Sequence, residues 1–211
     1  MGRCAEVLNA VVRVIERHSA DLSALDAAGG DGDHGMSLAL GARGAIEATR
    51  DFPGDDVGAF LDLIGKSLIS GVGAAMGPLY GTALIRAGRV AAGRAELDGR
   101  TVAAIFEACC EGIVLRGKTK VGEKTMLDAF APAADAARVA AEAEAGALAV
   151  LRAASNAANT GALGTKDMIA TKGRAAKLGE RTRGHQDAGA TSAALIIATI
   201  LEAAEALEHV S

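Results

Sequence analysis

Alanine is the feature that most constrains this chain, because it supplies 49 of the 211 residues while the aromatic residues are four Phe, one Tyr and no Trp. A core of alanine and branched aliphatic side chains needs backbones that approach one another closely, which favours packed helices over sheets. Half of the residues are hydrophobic, enough for one sizeable core. We therefore expect an all-α fold in which residues 1–211 form a single domain.

Hydrophobic periodicity supports this expectation. Apolar residues recur three and four positions apart in several segments, a spacing that predicts about eight antiparallel amphipathic helices. The Ala-rich, low-complexity residues 133–154 predict one long helix. Pro132, just before them, is expected in a loop or at a helix start.

Charge and composition argue against several classes of protein. The net charge is only −4 and aromatic residues are scarce, so the chain offers no platform for nucleic acid. No apolar run reaches about 18 residues, and an acid, Glu6, stands close to the amino terminus. Three cysteines without metal-site spacing fit a reducing compartment. We expect a cytoplasmic protein with no membrane span and no nucleic-acid partner.

Glycines and polar residues gather in four segments, of which residues 25–35 are the first. Asp26, Asp31 and Asp33 place three carboxylates within eight residues, and such oxygen ligands can converge on one or two Mg²⁺ ions. The alternative is a surface loop whose Asp residues cap the next helix. An EF-hand is a poor fit because the ligand spacing lacks the Glu at its twelfth position.

The second and third segments each allow two interpretations. Glycines and Pro78 in residues 71–82 suit an anion site at a helix start, or the close packing of two helices. Residues 116–128 hold three lysines that can attract an anion, and Met126, which can lie on a flat ring. The alternative there, a solvated loop with Met126 filling the core, is what the residues alone favour.

The fourth segment spans residues 171–192. Three arginines among glycines, Arg174 first, precede polar residues that open the last helix. A guanidinium and backbone amides placed there can meet phosphate oxygens. Asp187 fits either this site or the role of N-cap for that helix.

Six short motifs in one order along nearly the whole chain resemble the nucleotide-binding subunit of bacterial dihydroxyacetone kinase. They stand at Leu25–Asp26, Gly30–Gly35, Gly77–Thr82, Lys124–Asp128, Gly179–Arg181 and Gly184–Asp187. The resemblance implies a barrel of eight helices with the nucleotide site at one end.

The resemblance also implies a set of site residues. It makes Asp26, Asp31 and Asp33 the ligands of two Mg²⁺ ions that bridge the phosphates of ADP or ATP. It implies the following nucleotide contacts: His34, Gly35, Met36, Ser37, Ala75 and Met76 along the phosphates and ribose, Gly117 and Met126 near the adenine, and Arg174, Asp187, Ala188 and Gly189 completing the site. Arg174 is the residue expected to act in catalysis.

Four positions depart from the family's usual pattern. They are Ser37 for a common Asn, Met76 for a common Ser, Ala188 for a common Pro, and Gly29 for a bulky apolar residue. Met76 matters most, because it removes a hydroxyl beside the phosphates and leaves the backbone amide to bind there.

Phosphoryl transfer needs positioning and charge neutralisation more than a protein nucleophile, and two metals with one Arg can supply both. The chain offers no sugar-binding domain, so the resemblance implies a ketose-binding kinase subunit as partner. The bound ADP is rephosphorylated in some relatives by a phosphohistidine carrier protein of the phosphotransferase system, and other relatives use free ATP. The sequence leaves open the donor and whether the chain forms a homodimer.

Two other functions remain open at this point. One is a nucleotide-dependent interaction or regulatory module with little turnover, which the departures at Met76 and Ser37 permit. The other is a domain similar to the nucleotide half of fatty acid kinases, although the short length of the chain argues against it.

Overall fold

The structure is a computed structural model that describes residues 2–73 and 76–209. Within these residues the chain forms α-helices, two 3-10 segments and no strand. The helices are α1 (Arg3–Arg17), α2 (Ser19–Ala27), α3 (His34–Thr49), α4 (Val57–Gly71), α5 (Met76–Val90), α6 (Gly99–Gly117), α7 (Leu127–Glu142), α8 (Ala147–Gly164) and α9 (Ala188–Glu208), and the 3-10 segments are Thr165–Asp167 and Ala175–Thr182.

Eight of the helices form a closed ring. Helix α1 packs against α3, each later helix packs against the next, and α9 packs against α1. The short α2 lies against α3 and α9. We call the end of the barrel at which α3, α5, α7 and α9 begin the upper end, and the opposite end, at which α4, α6 and α8 begin, the lower end. The periodicity predicts about eight helices, and the resemblance implies that they form an all-α barrel.

Small residues allow the helices to approach closely. A Cβ atom on Gly58 would collide with the carbonyl oxygen of Gly88, and one on Gly65 would lie 2.7 Å from the carbonyl oxygen of Gly81. The first contact joins the start of α4 to the end of α5, and the second joins the middle of α4 to the first half of α5, so the helices are antiparallel. Fully buried alanines repeat every four residues on the facing sides of α7 and α8: Ala129, Ala133, Ala137, Ala154 and Ala158. Alanine is therefore abundant because it sets the distance between backbones.

The prediction of one long helix over residues 133–154 is wrong. Helix α7 ends at Glu142 and α8 begins at Ala147. Glu144 has a left-handed backbone (φ 58°) and Gly146 is the extended N-cap of α8, so the chain reverses there. Alanine favours two antiparallel helices as much as one long helix, and Gly146 was the only local signal of the break.

Pro132 lies inside α7 and not at its start, which corrects a second expectation. Its ring lies on the face that meets Gly161 of α8, where a Cβ on Gly161 would collide with the Asp128 carbonyl oxygen. A proline removes the helical N–H that would otherwise bond this carbonyl. The close approach of α8 fills the same position.

Helix α9 is long and apolar enough, by length and composition, to cross a membrane. Its apolar run is nevertheless interrupted by Glu202 and Glu205. The helix packs against α1, α2, α7 and α8 in the barrel, which is the position of a core helix. The absence of a membrane span stays a prediction.

Candidate functional site

The loop between α2 and α3 brings three carboxylates together at the upper end. Gly32 adopts a positive φ of 75°, and the Asp26 carboxylate accepts hydrogen bonds from the backbone N–H groups of Gly32 at 2.8 Å and Asp33 at 3.2 Å. Asp26 thereby fixes the loop. One oxygen each from Asp26, Asp31 and Asp33 lies within 4.8 Å of the others. Oxygens at this spacing suit a hard divalent cation.

Asp33 occupies the N-cap position of α3, but its side chain makes no capping hydrogen bond. The capping interpretation therefore fails for this residue. Partial burial and the negative charge of Asp31 raise the pKa of Asp33. Carboxylates that repel one another in this way are ready to bind a cation, because the cation relieves the repulsion.

Arg174 reaches the same cluster from the other side of the upper end. Its guanidinium pairs with Asp31 and lies 3.9 Å from an Asp33 oxygen. Arg174 directly precedes the 3-10 segment that begins at Ala175, and a Cβ on Gly29 would lie 3.1 Å from the Ala175 Cβ. The small residue at Gly29, one of the departures from the family pattern, therefore lets the two loops meet.

His34, at the start of α3, is held by a chain of hydrogen bonds. Its Nε2 lies 3.0 Å from the Ser192 hydroxyl, the Tyr80 hydroxyl lies 2.9 Å from the same oxygen, and Ser192 donates to the Gly189 carbonyl. When the single hydrogen of the Ser192 hydroxyl is directed at the Gly189 carbonyl, the His34 N–H and the Tyr80 O–H both donate to the Ser192 oxygen. Burial lowers the pKa of His34, which favours the neutral ring. The sequence missed Ser192 and Tyr80; the one tyrosine of the chain, within a motif, was the available signal.

Asp187 is the N-cap of α9, one of the two roles that its sequence position allows. Its carboxylate caps α9 by accepting from the Ala190 N–H at 2.7 Å, and its own N–H donates to the Thr165 hydroxyl. The side chain is also buried at the upper end, and this burial raises the pKa of Asp187 to about 6. The Asp187 carboxyl group therefore lies close enough to Asp26 and Asp128, in two other segments of the upper end, for their charges to act on it.

The two residues expected near the adenine, Gly117 and Met126, both lie at the upper end of the barrel. Gly117 ends α6, and a Cβ there would lie 3.0 Å from a Leu79 methyl group. Met126 is buried in the core, and its backbone is 3.4 Å from the position of a Cβ on Gly189. Met126 thus fills the core, as the residues alone favoured, and only its backbone and the neighbouring loop face the site.

The first turn of α3 and the start of α5 hold the remaining expected contacts. Gly35 lies against the Ser19 carbonyl with no room for a side chain, and Met36 is 67% exposed. Ser37 is half-buried, and its N–H donates to the Asp33 carbonyl. The Met76 side chain is buried in the core, so only its backbone is available to a ligand. Ala188 is buried at the start of α9, and Ala75 lies outside the described residues.

The chain matches a known protein family over most of its length. Residues 28–202 match the DAK2 domain, so the chain belongs to the DAK2 domain family. It is 36% identical over 205 residues to the ADP-binding subunit DhaL of the PEP-dependent dihydroxyacetone kinase of Escherichia coli, covering 97% of this chain and 94% of that one. It is also 36% identical to the L-erythrulose 1-kinase of Mycolicibacterium smegmatis, over 94% of this chain and 36% of the kinase.

The fold is also similar to that of a solved dihydroxyacetone kinase. The dihydroxyacetone kinase of C. freundii, solved in complex with AMP-PNP and Mg²⁺, superposes with a TM-score of 0.72 and 26% identity over 94% of this chain. The match covers 33% of that longer chain. These comparisons confirm the predicted all-α fold and the resemblance to the nucleotide-binding subunit.

Proposed function

We propose that this chain is the nucleotide-binding subunit of a dihydroxyacetone-type kinase. It holds Mg-ADP or Mg-ATP at the upper end and transfers the γ-phosphoryl group to a short ketose held on a partner subunit. The observation that carries the proposal is the convergence of Asp26, Asp31 and Asp33 within 4.8 Å, with Arg174 directly against them. The E. coli relative, named as an ADP-binding subunit, supports it.

The carboxylates hold the metal in this proposal. Asp26, Asp31 and Asp33 offer enough oxygens for two Mg²⁺ ions, which when bound neutralise phosphate charge. Asp26 also accepts two backbone N–H groups, so it orients the loop while it binds. The side-chain carboxylates of Asp31 and Asp33 accept no backbone hydrogen bond among the described residues, so the metal shares them only with Arg174.

The nucleotide phosphates lie beside the start of α3. The free N–H groups of a helix N-terminus attract anions, and His34 through Ser37 form that turn. Gly35 allows close approach of the backbone, and neutral His34, fixed by Ser192, leaves its Nδ1 to accept a hydrogen bond. The start of α9, Asp187 to Gly189, and the loop after Gly117 close the site around the nucleotide.

Arg174 acts on the transferring group. Its side chain is 58% exposed, so guanidinium donors remain available beyond the pair with Asp31. A cation beside the equatorial phosphate oxygens stabilises charge that develops in the transition state. We therefore assign Arg174 the catalytic role.

The partner subunit docks at the upper end in this proposal. Among the described residues, every exposed large apolar side chain except Val139 lies in the upper half of the barrel. They are Met36, Leu40, Ile69, Val114, Leu115, Val121 and Leu163. Exposed apolar groups around a polar site are typical of interaction surfaces. A ketose-binding subunit seated there would meet the γ-phosphate, and a homodimer remains compatible with the same surface.

Reconstitution tests this function. We expect the purified chain with Mg-ATP to leave dihydroxyacetone and erythrulose unphosphorylated, and a ketose-binding subunit to restore turnover, with either ATP or a phosphohistidine carrier protein as donor. Robust phosphorylation by the isolated chain would refute the need for a partner. Tight Mg-ADP binding without turnover under any of these conditions would favour the regulatory module instead. Cytoplasmic localisation stays a prediction.

A further inference from the structure

Lys124 is a buried lysine whose ammonium group is held by backbone carbonyls. It is 5% exposed, and its Nζ donates to three backbone carbonyls: those of Thr182 and His185 at 2.6 Å and that of Met168 at 3.2 Å. No carboxylate in residues 2–73 and 76–209 forms an ion pair with it. Lysine is almost never fully buried unless its charge is paired. Here three carbonyl dipoles take the place of water, and the negative charges of Asp187 and Asp167 act on the ammonium from beyond ion-pair distance.

The three carbonyls belong to a single loop. We call residues 168–185 the Arg174 loop; Met168 lies at its start, and Thr182 and His185 lie at its end. A second hydrogen bond at the same place, from the Ala170 N–H to the Thr182 hydroxyl at 3.0 Å, joins the two ends of the loop directly. Lys124 therefore fixes the neck of the loop whose far side carries the guanidinium to Asp31.

Lys124 is itself held rigidly. Its turn lies at the start of α7, where the Asp128 carboxylate accepts hydrogen bonds from the N–H groups of Gly122 and Thr125. The Lys124 backbone has φ 61°, a left-handed conformation that glycine adopts more readily than lysine. A lysine at such a position indicates that the hydrogen bonds of its side chain offset the free energy that the backbone conformation costs.

We propose that Lys124 is a positioning residue, which anchors the Arg174 loop to the start of α7 and so aims Arg174 at the carboxylate cluster. The ammonium touches neither nucleotide nor metal in this role and acts only through Arg174. The expected effect on turnover rests on the proposed kinase function. The anchoring of the loop does not, because it is a property of the chain without ligand.

Proteolysis tests the anchor without reference to activity. The Arg174 loop contains trypsin sites at Lys172, Arg174, Lys177, Arg181 and Arg183. In Lys124→Met, which keeps the length of the side chain but removes its charge and donors, we expect cleavage within the loop to accelerate about tenfold or more. Lys120→Met, in the same turn but exposed, is the matched control and should digest as the parent does. Equal cleavage rates for Lys124→Met and the parent would overturn the proposal.

A second variant covers the case in which Lys124→Met does not fold. Thr182→Val removes the hydroxyl, which accepts from the Ala170 N–H and donates to the Gly179 carbonyl. It keeps the size of the side chain and the carbonyl that Lys124 uses. It loosens the same neck, so we expect faster cleavage in the same loop. An unchanged digestion pattern in a folded Thr182→Val protein would show that the neck does not control the loop, and would contradict the proposal.

A double-mutant cycle tests whether Lys124 acts through Arg174. With the ketose-binding subunit present, Lys124→Met should lower kcat about tenfold or more while changing the Kd for Mg-ADP little. In an Arg174→Ala background the same change should have almost no further effect on kcat. Equal fold-losses in both backgrounds would overturn the positioning role. If no variant shows turnover while the digestion result holds, the kinase function fails and the anchor stands.

Discussion

Aspartates at the two ends of the barrel do opposite things. At the lower end, Asp56 and Asp98 cap α4 and α6 by accepting from the N–H groups of Ala59 at 3.0 Å and Thr101 at 2.7 Å. These hydrogen bonds lower the pKa of both carboxyls. At the upper end, Asp33 holds the same position before α3, makes no cap, and its pKa is raised.

The contrast shows that position relative to a helix does not define the role of an aspartate. A carboxylate that bonds backbone N–H groups stabilises its helix, whereas one turned away from them is available to a ligand. Asp187 shares both features, since it caps α9 and is buried in the site. At the upper end, the Asp33 carboxylate therefore does not cap α3 and lies instead beside the carboxylates of Asp26 and Asp31.

The largest expected effect on turnover concerns the guanidinium of Arg174 at the upper end. Arg174→Ala should lower kcat about 10²- to 10³-fold, with a smaller loss in affinity for Mg-ADP, because a cation that acts on transition-state charge contributes mainly to rate. Arg174→Lys should restore little, since the planar fork is lost. The measurements are kcat with the ketose-binding subunit and calorimetric Kd.

A matched control lies at the lower end of the barrel. Arg50 forms an exposed ion pair with Glu47, and Arg50→Ala should change neither quantity. Equal losses of binding and turnover in Arg174→Ala would instead assign that residue to ground-state binding.

The next effect is a pH dependence of stability. The folded pKa of Asp187, about 6, lies above its ordinary value of 3.8. Its contribution to stability is therefore complete below about pH 4 and is lost as the pH rises through about 6. We expect the free energy of unfolding, measured in urea, to fall by on the order of 2–3 kcal/mol between pH 4 and pH 8 relative to Asp187→Asn. Asparagine keeps the cap, so the comparison isolates the charge.

Asp98→Asn provides the opposite sign. The folded pKa of Asp98 is lowered, so its contribution to stability is present above the ordinary pKa and is lost as the pH falls. The parent should therefore lose stability relative to Asp98→Asn on acidification, where it gains stability relative to Asp187→Asn. The same slope for both pairs would contradict the distinction between an exposed cap and a buried one.

The smallest effect is that of the lower-end caps on stability. Asp98→Ala should lower Tm by about 2–4 °C, the usual effect of removing an N-cap from a chain of this length. Its affinity for Mg-ADP should stay unchanged. Asp33→Ala should leave Tm without such a loss, because its carboxylate caps nothing. Thermal unfolding monitored by circular dichroism makes the comparison, and a similar loss of Tm in both variants would mean that Asp33 is a cap after all.

Local signals explain which parts of the barrel were predictable from sequence. The helices follow from the spacing of apolar residues, and the carboxylate cluster follows from three aspartates within eight residues. The break at Ala143–Gly146 did not follow, because alanine-rich sequence favours both one helix and two. Helix formation alone does not specify where a helix reverses.

Contacts between distant residues explain what the sequence could not show. His34 meets Ser192 across 158 positions, and Lys124 meets the Thr182 carbonyl across 58. Lys124 looks like a solvated loop lysine until the folded chain places carbonyls around it. The burial of Met126 likewise depends on how α7 and α9 begin side by side.

The affinity of the upper-end variants for Mg-ADP tests the central claim most directly. Titration calorimetry of Asp31→Ala and Asp33→Ala, with Asp98→Ala as the matched lower-end variant, separates ligation from capping. We predict that both upper-end variants lose Mg²⁺-dependent ADP binding, because each variant removes one of the three carboxylates that hold the metal. Without the metal, the phosphate charge of ADP faces the remaining carboxylates. Asp98→Ala should bind as the parent does. Unchanged affinity for Mg-ADP in both Asp31→Ala and Asp33→Ala would contradict the assignment of this cluster as the metal site.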